Sequence, residues 1–409
     1  MRKIWLIAAL FTLLLTTACA GQTPAEAMPS NAQPMECTLS SVFPQPRDPA
    51  ELNLPEISPA DQARGASEPA LTLLEYSDFQ CPYCALAGRS LQEFEAAHPQ
   101  DVQVVFRHFP LPMHDKAQLA ARATEAAGEQ GKFWEMHDLL FAEANWDAWT
   151  AMQPADFESW LAEQSETIGL DSEKFARDLN SEAVTGKVEA AYASAIAANL
   201  NSTPSLFIFV DGELVFIPED QIPYDTQTLE LLLGLAQLKS RQFTTCPPMT
   251  VDASRDYTAH IQTSRGDFDI KLYPDQAPLA VNSFVFLAQQ GWFDGVGFHR
   301  VLPGFVAQTG DPSGTGSGGP GYVFKNEVSD GLKFNRAGLV GMANAGADTN
   351  GSQFFITYDA APSLDGAYTI FGEVTAGMEV VESLTPRDPA SGSELPAPDT
   401  ILSVTIEVD

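Results

Sequence analysis

The strongest constraint on the fold is Cys81-Pro82-Tyr83-Cys84, which stands between a strand-like run and a helix-like one. Leu71 to Tyr76 reads as a buried strand. From Cys81 a helical spacing carries Leu86, Leu91 and Phe94, and Val102, Val104 and Phe106 then alternate as a second strand. At a helix N-terminus, unpaired backbone N–H groups and the helix dipole stabilise a thiolate on the first cysteine. The second cysteine lies one turn on, on the same face, where it can resolve a mixed disulfide. Pro82 lacks an N–H and stiffens the turn. Zinc would require a second pair of ligands at motif spacing, and the sequence has none. His98, His108, His114, His137 and His260 share no spacing with thiols or carboxylates, so no metal and no other cofactor is expected.

The run Leu73-Leu74-Glu75-Tyr76-Ser77-Asp78-Phe79-Gln80 leading into Cys81 resembles the active-site segment of DsbA-like thioredoxin-fold proteins. Lys132-Phe133-Trp134-Glu135-Met136-His137 is similar to that family's inserted helical subdomain, and Asn201-Ser202-Thr203-Pro204-Ser205 to its cis-proline loop. The resemblance implies an α/β thioredoxin fold with an inserted helical subdomain. It also implies that Pro204 is cis, that Thr203 backbone atoms hold a substrate chain beside Cys81, and that Glu75 moves protons at the resolving Cys84. Independently, helical spacing runs from about Lys116 to Leu200, Leu206 to Val210 reads as a strand closed by an Asp211-Gly212 turn, and a helix follows from Thr226 to Ser240.

After Phe243 to Thr250 the texture changes. Tyr257 to Thr263 and Phe268 to Tyr273 alternate as strands, Pro278 opens an amphipathic helix that Gly291 ends, and Leu402, Val404, Ile406 and Val408 alternate in a last strand. Short strands with one or two helices predict a small, mostly-β closed barrel. The segment from Phe298-His299-Arg300 to Gly310-Asp311 closely resembles the cyclophilin signature. Gly341-Met342-Ala343-Asn344, Asn350-Gly351-Ser352-Gln353-Phe354-Phe355, Leu364-Asp365-Gly366 and Phe371-Gly372 extend the likeness. It implies that Arg300 is a donor to the prolyl nitrogen and that Phe305, Val306, Phe355 and Leu364 grip the proline ring. Gln308, Gln353, Ala343 and Asn344 would line a peptide groove, with His299 and Tyr368 at its margin. The chain departs from the pattern at Val306 (commonly methionine), Ser363 (often tryptophan) and Tyr368 (often histidine); loss of the large aromatic at 363 should weaken macrocycle binding.

A chain of 409 residues exceeds one ordinary core. Its formal net charge of -32 repels phosphate backbones and argues against nucleic acid as a partner. Arg2 and Lys3 precede an apolar run from Ile4 to Leu15, too short to span a bilayer, so residues 1–18 read as an export signal. Cys19 resembles the lipid acceptor of bacterial lipoproteins, although Thr16 replaces the usual aliphatic residue; cleavage at Ala18-x-Ala20 is the alternative. Residues 19–66, rich in Pro, Ala, Ser and Gln, read as a tether. Residues 67–242 then form the thioredoxin-type domain, 243–256 a linker and 257–409 the isomerase-type domain. Without Cys19, four cysteines remain, and Cys37 and Cys246 are left to pair in an oxidising compartment. The expectation is a folding enzyme on the outer face of the cell membrane, held by a lipid anchor only. Its partners would be exported polypeptides and a redox protein that recycles Cys81 and Cys84. The alternative is a non-catalytic proline-binding scaffold whose C-x-x-C is a structural disulfide.

Overall fold

The computed structural model describes residues 33–215, 225–329, 331–391 and 395–409; the signal segment and Cys19 lie outside them. After β1 (Thr38–Leu39), the first domain contains β2 (Gln62–Gly65), β3 (Leu71–Ser77), α1 (Pro82–Ala97) and β4 (Val102–His108). Six helices follow, α2 (Ala117–Gly128), α3 (Phe133–Phe141), α4 (Glu143–Thr150), α5 (Pro154–Thr167), α6 (Ser172–Leu179) and α7 (Glu182–Ala197). They lead to β5 (Ser205–Val210), β6 (Glu213–Val215) and α8 (Thr226–Lys239).

The sheet order is β2-β4-β3-β5-β6, with β3 parallel to β4 and antiparallel to β5. Every residue of β3 is buried because the strand is central and covered on both faces. Leu71 and Leu73 pack on the side of α1 and α8, and Leu74 and Tyr76 on the opposite side. The inserted helices bury their own core around Trp149, Phe157, Phe141 and Phe79. Leu86, expected on the apolar face of α1, is 56% exposed. Helical spacing alone did not reveal that this turn borders the cysteines rather than the core.

The second domain runs β7 (Tyr257–Thr263), β8 (Gly266–Leu272), α9 (Pro278–Gln289), β9 (Arg300–Leu302), β10 (Val306–Thr309) and β11 (Tyr322–Val323). It continues with β12 (Leu339–Met342), β13 (Phe354–Thr357), β14 (Ile370–Ala376), α10 (Met378–Glu382) and β15 (Ile401–Val408). Eight strands form one antiparallel sheet in the order β15-β7-β8-β14-β12-β13-β10-β9. This corrects the closed barrel expected from the strand pattern: the sheet is an open half-barrel. The edge strand β9 has only three residues. Single bridges, Gly297 to Thr400 and Val301 to Arg387, cross the seam instead of a ladder. A register shift between Ile401 and Ser403 turns Leu402 outward, 57% exposed, so the alternation expected along β15 breaks at its start.

The stretch expected as a tether is packed from residue 33 onward. Met35, Phe43, Leu54 and Ala66 are buried, and β2 joins the first sheet. β1 pairs with β11 of the second domain, and Cys37 is disulfide-bonded to Cys246 with a Cα–Cα distance of 5.9 Å, the pairing expected from the cysteine count. Residues 243–256 also pack rather than hang free: Phe243 meets Phe286 edge-on at 4.9 Å. Leu238 of α8 belongs to the second domain's core, so the two domains share apolar contacts.

Candidate functional site

Two sites emerge, one in each domain. In the first, Cys81 is the N-cap of α1, so its sulfur stands at the helix N-terminus, where the first-turn N–H groups have no intrahelical partner. The Thr203–Pro204 bond is cis, and the Cys81 thiol donates to the Thr203 carbonyl oxygen at 3.5 Å. Hydrogen bonding to the Cys84 thiol, with backbone N–H groups of Cys84 and Tyr83, holds the Cys81 thiol down at about 6 despite partial burial. Burial pushes Cys84 well above the usual thiol range, and the neighbouring Cys81 and Glu75 charges act in the same direction. The two sulfurs are therefore electrically distinct.

Glu75 is 1% exposed, and burial raises its carboxyl to about 7 against the opposing effect of the 2.7 Å bond from Ser77 Oγ to Oε1. A carboxyl poised near neutrality beside a high-pKa thiol can accept and return its proton. Asp78, to which the sequence reading attached no role, is buried and braces the site. Its Oδ2 accepts Leu111 N–H at 2.7 Å and pairs with His114 Nδ1 at 2.7 Å, while its backbone N–H donates to Cys84 Sγ at 3.4 Å. The local clue was an aspartate followed by a turn, where its Oδ1 accepts Gln80 N–H at 2.8 Å. The other histidines expected as ordinary residues are paired with carboxylates: His108 with Glu125, His137 with Asp138, His98 with Glu230 and His260 with Asp269.

In the second domain, antiparallel register builds the site. Arg300 lies opposite Gln308, Gln308 opposite Phe355, Phe355 opposite Gly341, and Gly341 opposite Ile370. Directly opposed residues share a face, so these five form one row across five strands. The alternate residues Val301, Ala307, Ile356, Val340 and Phe371 point the other way, into the main core. The outward face gathers Val306, Phe334, Phe355, Ile370, Phe305, Ala343, Leu364 and Tyr368 into a separate apolar cluster. The Arg300 guanidinium lies 5.8 Å from the Phe305 ring centre. Phe355 is 5.5 Å from Phe334 and meets Tyr368 edge-on at 5.6 Å.

Polar groups border this apolar patch. Gln308 Nε2 donates to Gln353 Oε1 at 3.0 Å, and Gln353 Nε2 donates to the Gly316 and Gly318 carbonyls at 2.9 Å each. Asn344 donates to Asn350 Oδ1 at 3.3 Å. His299, expected at the groove margin, is instead 4% exposed with both ring nitrogens buried and unpartnered, and burial lowers its pKa. Two residues carry more than was read from sequence. Phe334, outside the quoted motifs, walls the cluster through Phe355. Asp311 is fully buried and gathers the glycine-rich loop, accepting N–H groups of Ser313, Gly316 and Gly318 at 2.7–2.9 Å.

Nothing in this arrangement is a nucleophile or an acid–base pair. An apolar cluster on the outward face, with a guanidinium beside it, suits a reaction whose barrier, about 18–20 kcal/mol, comes from amide resonance. A cation near the prolyl nitrogen favours the twisted state, where that nitrogen regains its lone pair.

Comparison with known proteins finds a family for each domain. Residues 258–406 match the family described as cyclophilin type peptidyl-prolyl cis-trans isomerase/CLD, and residues 58–226 match the family described as thioredoxin. Peptidyl-prolyl cis-trans isomerase-like 1 of Aspergillus fumigatus is 50% identical over 125 residues, 30% of this chain and 78% of that protein. Peptidyl-prolyl cis-trans isomerase B of Bacillus subtilis is 48% identical over 120 residues, 29% of this chain and 84% of that protein. The chain belongs to the cyclophilin-type peptidyl-prolyl cis-trans isomerase family and carries a thioredoxin-like domain ahead of its isomerase domain.

Proposed function

We propose that the chain is an extracytoplasmic folding enzyme that isomerises prolyl bonds and exchanges disulfides on the same class of client, exported polypeptides. The isomerase half follows from the family. Arg300 donates to the prolyl nitrogen in the twisted state, Phe305, Val306, Phe355 and Leu364 hold the ring, and Gln308, Gln353, Ala343, Asn344 and Tyr368 border the groove. The half specific to this chain rests on one observation: a thiol held at about 6 at a helix N-terminus, 3.5 Å from the carbonyl that precedes cis-Pro204. That geometry suits a DsbA-like oxidoreductase. The Cys81 thiolate attacks a client disulfide, forming a mixed disulfide and releasing one client thiolate. Cys84, its proton passed to Glu75, then displaces the second client sulfur and leaves Cys81–Cys84 oxidised. The reverse sequence oxidises a client dithiol.

The exposed Tyr83 and Leu86 beside the cysteines offer apolar contact to an unfolded chain. The Cys37–Cys246 bond favours an oxidising compartment, consistent with export and with lipid attachment at Cys19. A separate redox protein would recycle the C-x-x-C pair, and the acidic net charge disfavours nucleic acid. The test combines a glutathione titration of the C-x-x-C pair with a protease-coupled prolyl peptide assay on the same preparation. The expected result is reversible oxidation within the glutathione range together with isomerase turnover. A pair that glutathione cannot reduce and that catalyses no exchange would overturn the redox half.

A further inference from the structure

The chamber beside the proline slot is not built by the isomerase domain alone. Its cavity, about 510 Å³, is lined on the inner side by Gln308 and Gln353 and on the outer side by Ser40, Ser41, Val42 and Gln242. The last four residues lie outside both matched regions, 58–226 and 258–406. They are firmly held there. β1 pairs with β11, Ser40 N–H donates to the Gly321 carbonyl at 2.9 Å, and the Cys37–Cys246 disulfide anchors the strand behind it. From the other side, Gln242 Nε2 donates to the Gly319 carbonyl at 2.9 Å and Phe243 N–H to the Pro320 carbonyl at 2.9 Å. The glycine-rich loop is thus clamped between two segments foreign to the isomerase fold.

This outer wall communicates with the reacting row through short links. Gln353 bonds the Gly316 and Gly318 carbonyls with its Nε2 and accepts from Gln308 with its Oε1, and Gln308 stands opposite Arg300. A client chain seated with its proline on Phe355 has this chamber beside it, across Gln308 and Gln353, for a neighbouring side chain. The lining contains no charged side chain, while the protein as a whole carries -32. A side chain of either charge enclosed there would find no counter-ion in the lining. Space for a large side chain combined with amide, hydroxyl and carbonyl groups suits a bulky uncharged residue.

We infer that residues 40–42 and Gln242 form a specificity wall, through which the preceding domain selects prolines flanked by a large uncharged side chain. The inference rests on the isomerase reading and adds a substrate class to it.

The test uses the full chain and proline tetrapeptides in which each residue near the proline is changed in turn to Ala, Phe, Gln or Glu. The readout is the ratio of kcat/KM values between peptides. Wild type should favour Phe or Gln over both Ala and Glu at one flanking position by about 5-fold or more. Ser41→Trp, which fills the chamber, should collapse that ratio towards one. Gln242→Ala, which opens the wall and frees the Gly319 carbonyl, should reduce it in a second, less intrusive way. Ratios within 2-fold of wild type in both variants, or a wild type without preference, would overturn the inference while leaving the isomerase intact. A wild type without turnover on any peptide would instead remove the isomerase reading itself.

Discussion

Gly341 lies directly opposite Phe355 across the β12–β13 pair, and a Cβ on Gly341 would stand 2.7 Å from the Phe355 ring and 2.9 Å from that of Phe334. The floor of the apolar cluster proposed to hold the proline therefore depends on a missing side chain in a strand where glycine has no other advantage. Gly341→Ala should tilt Phe355 and narrow the slot while leaving the main core, on the opposite face, undisturbed. Overpacking of this kind costs about 1–3 kcal/mol. The expected outcome is a fall of roughly 10-fold in kcat/KM in a protease-coupled assay. An unchanged rate would show that the ring does not define the slot.

Arg300 makes no ion pair among the described residues and is aligned by its place opposite Gln308. Its charge is thus available to a substrate. Arg300→Ala should lower kcat by about 10²–10³-fold, the range for loss of one donor that acts in the transition state. KM should move far less, because the slot supplies most of the ground-state binding. A loss confined to KM would assign Arg300 to binding alone.

The redox site should titrate in a defined direction. Thiolate absorbance or alkylation of reduced protein should show Cys81 ionising with a midpoint at about 6. A depressed folded-state value gives a stabilising contribution that is present above the ordinary thiol range and is lost as pH falls through about 6. Reduced protein should therefore gain stability relative to the oxidised form as pH rises from 6 towards 9. A Cys81 midpoint near 9 would contradict the site's geometry.

Glu75 has the opposite sign. Its carboxyl is raised to about 7, so its contribution to stability is present below 4.5 and is lost as pH rises through 7. Glu75→Gln should remove that loss, stabilising the protein at pH 8 by about 2–3 kcal/mol in chemical denaturation. The same variant should slow disulfide exchange by about 10-fold or more, since Cys84 loses its proton acceptor. A stabilised variant with unaltered exchange would leave Glu75 a structural group.

Cys37 and Cys246 are separated by 209 residues, and their bond closes a loop around the entire first domain. Replacing both by serine should lower stability by about 2–5 kcal/mol, read as an earlier denaturation midpoint. Non-reducing digestion of wild type should yield the two peptides joined, and reduction should separate them. Equal midpoints for wild type and the double variant would show that β1 and the core contacts hold the domains without the bond.

Much of both sites was legible because local chemistry repeats in the chain. Cys81 and Cys84 sit at a strand-to-helix junction that periodicity alone exposes. Arg300, Gln308 and Phe355 belong to short motifs that carry the resemblance, and the strand register then puts them on one face. What escaped was whatever depends on partners distant in sequence. Phe334 walls the slot through Phe355, 21 residues away by number, with no motif of its own. Asp78 and Asp311 stand inside the two motif segments without an evident role, and only the loops folded over them turn them into buried anchors. His299 sits inside a recognisable motif, yet the structure buries it beneath the groove rather than at its rim.

By itself the sequence determined the strand–helix junction at Cys81 and the motifs that carry both resemblances, because short motifs and period-2 and period-3.6 patterns are local properties of the chain. Tertiary structure alone decided that the eight-stranded sheet stays open. It also decided that residues 33–66, poor in periodicity, pack between two cores, and that Ser40, Ser41 and Val42 reach the edge of a pocket some 270 residues further along the chain. The reason is physical: closure of a sheet and the path of an irregular segment are set by long-range burial and pairing, which leave no periodic trace in the residues that obey them.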